Sequence, residues 1–135
     1  MTGAPRNFSP DLYVTDWLEA KSHKHDIVTD HDLHQGGLLA ISDYKVIITG
    51  SHPEYWTERM QNTIKLYLAQ CGRLIYLGGN GFYWVTAVNL GQPHLIEVRR
   101  GYLSRRSWNS HLAELYLAST GKKGGIWRFR GRSLN

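Results

Sequence analysis

An α/β layered domain on a mainly parallel sheet is what this sequence predicts, and three observations carry the prediction. Two short, nearly continuous apolar runs, Tyr44-Lys45-Val46-Ile47-Ile48-Thr49-Gly50 and Arg73-Leu74-Ile75-Tyr76-Leu77, read as strands buried on both faces. Between them, residues 57–71 place Met60, Ile64, Tyr67, Leu68 and Cys71 at helical spacing. The second run passes directly into Gly78-Gly79-Asn80-Gly81. Strand, loop, helix, strand and glycine turn make a crossover unit, expected to be right-handed. The parallel core is expected from residues 26–29, 45–49 and 73–77.

The elements follow in order. Ser9 is the expected N-cap of a first helix, with Pro10 at its first position and Asp11 favourable to the helix dipole. Leu12, Tyr13 and Trp17, with Val14 and Leu18, are its expected inner face. Asp26-Ile27-Val28-Thr29 has the length and β-branching of a short strand, and residues 30–37 read as a polar loop. Thr57 is placed to cap the helix that follows the second strand, and Gly72 to end it. Residues 83–89 and 94–100 alternate as two strands, with Gly91-Gln92-Pro93 able to turn between them, a hairpin off the main sheet. Residues 112–117 have a helical pattern, residues 121–125 read as a flexible basic loop, and Ile126-Trp127-Arg128-Phe129 is strand-like.

At 135 residues the chain suits one domain, taken as 1–135, and its 41% hydrophobic content predicts a packed core rather than disorder. Its one cysteine excludes an internal disulfide, and no run approaches a membrane span, so a cytoplasmic location is expected. The net charge of +5 is uneven: residues 1–98 hold seven basic and ten acidic residues, residues 99–135 nine basic and one acidic. A basic tail of this kind suits anionic substrates, partner subunits or solvent as well as phosphates, and nucleic acid is not the expected partner.

Open parallel sheets carry their chemistry just beyond the carboxyl ends of the strands. Two loops meet that condition, Gly50-Ser51-His52-Pro53-Glu54-Tyr55-Trp56 and Gly78-Gly79-Asn80-Gly81-Phe82-Tyr83-Trp84. The second lies where class I glutamine-amidotransferase-like domains present a nucleophilic cysteine. Here Asn80 stands at the turn, and Cys71 falls on the apolar stripe of the preceding helix, the place of an inert small hydrophobe. Asp30, His31, Asp32 and His34 have metal-ligand chemistry without the spacing of known zinc signatures, and a solvated acidic loop is the preferred reading of them. His52 and Glu54 have a structural reading too, bonding the loop backbone and capping the next helix. Tyr55 and Tyr83 need only bury a ring and wet a hydroxyl; as metal ligands they require a highly charged cation to deprotonate them.

These two loops resemble the large (beta) subunit of N,N-dimethylformamidases. So do Asp16-Trp17-Leu18-Glu19, Thr29-Asp30-His31-Asp32-Leu33-His34, Ile96-Glu97-Val98-Arg99-Arg100 and Gly124-Gly125-Ile126-Trp127-Arg128. The resemblance implies a class I glutamine-amidotransferase-like (flavodoxin-like) fold and hydrolysis of a small amide at mononuclear ferric iron, held by two tyrosines and a glutamate. Carried over by position, Tyr55, Tyr13 and Glu114 are the metal candidates, with Tyr83 the alternative to Tyr13, and His52, Glu54 and Asn80 act on substrate or water. It also implies a small companion subunit or a homo-oligomer. Two departures stand out: family members continue past Arg130-Gly131-Arg132 whereas this sequence stops at Asn135, so a domain incomplete at its C-terminus is expected; and Cys71 stands where a glycine pair is usual. A catalytically silent binding or assembly module of the same fold is the alternative function.

Overall fold

The structure, a computed structural model, describes residues 7–89, 91–100 and 115–129. It is mixed α/β, with small sheets that are parallel in part. The chain forms two compact units, Met1–Pro53 with Thr63–Gly79, and Glu54–Asn62 with Asn80–Asn135.

In the first unit, helix α1 (Phe8–Ala20) starts one residue before the expected cap, behind Asn7 at φ 66 with no side-chain cap bond. Asparagine tolerates this left-handed conformation, and it sets the chain's entry in place of Ser9. The expected inner face is mostly outside: Leu12, Tyr13 and Trp17 are 41%, 70% and 52% exposed. A two-stranded sheet offers too little surface to cover such a stripe.

Residues 26–29 form no strand. Their β-branched end is used differently: the Asp32 N–H donates to Thr29 Oγ1 and the Thr29 N–H to Asp32 Oδ2, a reciprocal capping box. The expected polar loop is therefore a helix, α2 (Asp30–Gly36), which buries Leu33 and continues as a 3-10 turn over Gly37–Ala40. The Thr29 side chain, then its backbone, holds the Asp32 carboxyl below the usual carboxylate range.

Strands β1 (Val46–Ile48) and β3 (Arg73–Ile75) pair in parallel, as expected, with Val46 opposite Arg73 and Ile48 opposite Ile75. Strand β2 (Tyr55–Trp56) belongs to the second unit. The Thr49 N–H to Ile75 O bond continues the ladder, and the Leu77 N–H donates to Thr49 Oγ1. The expectation of burial on both faces fails, since among the described residues the sheet has two strands and Val46 and Ile75 are 39% and 44% exposed.

Helix α3 (Glu58–Ala69) lies within the expected span of 57–71, with the Met60 N–H on Thr57 Oγ1 and with Met60, Thr63, Ile64 and Tyr67 buried. The stripe stops there. Leu68 is 43% exposed, and Cys71, expected to pack, is exposed at φ 67. The Cys71 N–H reaches Leu68 O and the Gly72 N–H reaches Tyr67 O, the paired bonds of a Schellman end with Cys71 at its left-handed position. That position favours glycine, because a β-carbon there costs about 1 kcal/mol. Cys71→Gly is thus expected to raise stability by roughly 0.5–1 kcal/mol, measured by chemical denaturation, after the looser unfolded chain offsets part of the gain. A destabilised variant would mean that the thiol packs after all.

In the second unit, β2 (Tyr55–Trp56) runs parallel to β4 (Trp84–Val88), which pairs antiparallel with β5 (Ile96–Val98). The expected hairpin is present, its turn held by Asn89 Oδ1, which accepts from the Gly91 and Gln92 N–H groups. β4 is the central strand and is buried throughout; Val85 and Ala87 pack with Leu117, and Trp127 lies against them. Strand β2 falls inside the expected loop, since two residues are too few to show alternation. The expected strand at 126–129 shrinks to one bridge, Ile126 opposite Trp84, before a 3-10 turn at Trp127–Phe129. Of the expected helix at 112–117, residues 112–114 lie outside the described residues and Tyr116 bridges Lys123. The basic loop at 121–125 is tied down, by the Gly121 N–H on Leu117 O, the Gly124 N–H on Leu115 O and the Lys122–Glu58 ion pair.

Candidate functional site

In the first unit the loops after β1 and β3 are laced together. The Gly79 N–H donates to Ser51 O at 3.0 Å, and the Tyr76 hydroxyl to Gly79 O at 2.8 Å. From α1, Asp11 Oδ1 accepts the Ser51 N–H at 2.6 Å. His52, next along, is exposed. Its ring stands against Gly79, and Pro53 against Gly78. Tyr13 lines a different place, an open apolar groove of about 380 Å³ with Val14, Trp17, Ile48, Ile75 and Leu77.

In the second unit the loop before β4 is built around Glu54. Its carbonyl accepts the Tyr83 and Trp84 N–H groups, and its Oε1 accepts Trp84 Nε1–H at 3.1 Å. The expected capping of the next helix is made by Thr57, whose Oγ1 accepts the Met60 N–H. Tyr55, 38% exposed, has the Arg100 guanidinium 3.4 Å from its hydroxyl, and the same guanidinium lies 5.2 Å from the Trp84 ring centre. The Trp56 and Phe82 ring centres lie 4.4 Å apart in a tilted arrangement, and Tyr83 meets Trp84 edge to face. Asn80 is exposed at the head of this loop.

Of the metal candidates, Tyr13 belongs to the first unit and Tyr55 to the second, while Glu114 lies outside the described residues. Tyr83, the alternative, shares a unit with Tyr55 and is bonded through its backbone to Glu54. No cluster of three or more His, Cys, Asp or Glu side chains exists among the described residues, so the acidic His31 and His34 segment forms none. It is a capped helix. Sequence reasoning missed two contributors, Asp11 and Arg100. Each makes its contact more than 30 residues away, and a single sequence carries no signal for that.

Helices alternating with small sheets that are parallel in part place the chain in the mixed α/β class. The family model described as N,N-dimethylformamidase beta subunit-like, C-terminal, matches residues 1–135, and the chain belongs to that family. It is 40% identical over 123 residues to the N,N-dimethylformamidase beta subunit of Alcaligenes sp, covering 91% of this chain and 16% of that protein. The corresponding subunit of Paracoccus aminophilus is 39% identical over 123 residues, with the same 91% and 16% coverage. The chain thus spans about a sixth of the length of the curated relatives it matches.

Proposed function

We propose that this chain supplies part of the site of an iron-assisted amide hydrolase of the dimethylformamidase type, with a class I glutamine-amidotransferase-like fold, acting on a small amide through attack of water. The observation that carries the reading is family membership across the whole chain, supported by the tied loops that hold His52 and Glu54. With Oε1 held by the Trp84 N–H, Glu54 keeps Oε2 as an acceptor for water or for the leaving amine's proton. The His52 imidazole is exposed and able to take a proton from water, and the Asn80 amide has both a donor and an acceptor for the substrate's amide.

Phenol and carboxylate oxygens are the hard donors that ferric iron prefers, so the proposed set fits the metal chemically. Tyr55 fits best, with polar neighbours and a hydroxyl open to solvent; Tyr13 lines an apolar groove, which makes Tyr83 the stronger second phenol. Tyr55, Glu114 and either Tyr13 or Tyr83 would hold the ion, which when bound supplies polarisation of the amide carbonyl. Tyr55→Phe removes one oxygen and keeps the ring, so it is expected to lower bound iron and tyrosinate colour at least about tenfold with under 1 kcal/mol lost in stability. Full iron retention by metal analysis would sink the assignment. His52→Gln tests the proton-transfer role separately, with an expected loss in kcat of about a hundredfold or more.

An assembly role has one observation in its favour, the open groove of Tyr13, Val14, Trp17, Ile48, Ile75 and Leu77 beside exposed apolar residues of α1. The relatives are named as beta subunits, and a companion subunit or a second copy would cover such a face. No helix among the described residues is long and apolar enough to cross a membrane.

A further inference from the structure

We infer that Asp11 is a positioning residue for His52, acting through the Ser51 backbone with the Gly78-Gly79 turn as the opposite wall. The inference rests on the proposed role of His52 and concerns what fixes it. Three observations carry it, all within the first unit. Asp11 Oδ1 accepts the Ser51 N–H at 2.6 Å across 40 residues of sequence, a short charge-assisted bond to the residue just before His52. The Ser51 carbonyl takes the Gly79 N–H, so the Ser51 backbone just before His52 is held at both its N–H and its carbonyl. A β-carbon on Gly79 would lie 3.1 Å from His52 Cε1, and one on Gly78 would overlap Pro53 Cδ, so the backbone of this turn shapes the space in which the imidazole and the proline sit.

The acceptor oxygen, rather than an acid function, is what this role requires of Asp11. Asparagine keeps an oxygen in place and alanine does not, and that difference separates positioning from proton transfer. In the full chain labelled for NMR, Asp11→Ala is expected to speed hydrogen exchange of the Ser51 amide at least about tenfold and to shift and broaden the His52 ring signals; Asp11→Asn should preserve both. Gly79→Ala supplies a second variant should Asp11→Ala fold poorly. It is expected to shift the His52 ring signals while Ser51 stays protected. In the assembly that turns over amide, Asp11→Ala should lower kcat about tenfold or more with KM little changed, and asparagine should restore most of it.

Unchanged Ser51 exchange in Asp11→Ala would overturn the proposal. So would an asparagine variant as impaired as alanine, which would make Asp11 a charged participant, or an alanine variant of undiminished kcat. Parent-rate hydrolysis by His52→Gln would instead remove the proposed role of His52, leaving the exchange and ring signals to report whether Asp11 fixes the loop.

Discussion

Gly72→Ala is expected to destabilise the protein by about 2–4 kcal/mol, the cost of overpacking plus a strained or broken hydrogen bond. A β-carbon at Gly72 would overlap Tyr67 Cε1 and Cζ, and this ring has nowhere to go. It is 3% exposed, and its hydroxyl donates to the Tyr44 carbonyl at 2.9 Å. Swinging the ring aside would break that bond and open a void beneath α3. The origin of the loss is testable by a double-mutant cycle with Tyr67→Leu, which removes the obstructing ring atoms. The two substitutions should then be markedly less damaging together than their sum, by roughly 1–2 kcal/mol in denaturant melts. Strict additivity would show that the clash is not the cause.

The same helix end shows what a single sequence can and cannot reveal. The span of α3 was legible because Thr57, the Met60-Ile64-Tyr67 stripe and Gly72 each act within a turn or two of the chain. The parallel pairing of residues 46–48 with 73–75 was legible too, since both runs are apolar and a helix lies between them. Cys71 was misread because helical spacing says nothing about where the helix unwinds; one left-handed residue turned an expected buried thiol outward. Residues 26–29 were misread because Thr29 suits a strand and an N-cap alike, and the reciprocal bonds with Asp32 decided for the cap. The sequence located the two loops that carry His52, Glu54, Tyr55 and Asn80. It did not expose the contacts of Asp11 with Ser51 or of Arg100 with Tyr55, which exist only once distant segments have folded.

Glu97→Gln is expected to cost roughly 2 kcal/mol at neutral pH, allowing for the carboxylate's partial exposure, and nearly nothing near pH 2. Glu97 on β5 reaches the turn after Leu117. Its Oε1 accepts the Ala118 N–H at 2.9 Å and Arg99 Nε–H at 2.8 Å, while Oε2 accepts the Ser119 N–H at 3.0 Å and its hydroxyl at 2.9 Å. Burial pushes this carboxyl's pKa up, but the Ser119 and Ala118 N–H groups, helped by Arg99 and the Ser119 hydroxyl, outweigh it and bring the value from 4.5 down to about 2. A carboxyl depressed on folding stabilises the folded state fully above its unfolded value. That contribution is lost as pH falls through the folded one, here between 4.5 and about 2. Glutamine keeps one acceptor and puts an NH2 group where the second stood, facing donors, so the variant loses the charge-assisted bonds at any pH. Denaturant melts of parent and variant from pH 7 to pH 2 should therefore converge as the medium becomes acidic. A constant gap between them would mean that the turn is held by shape and not by the ionised carboxylate.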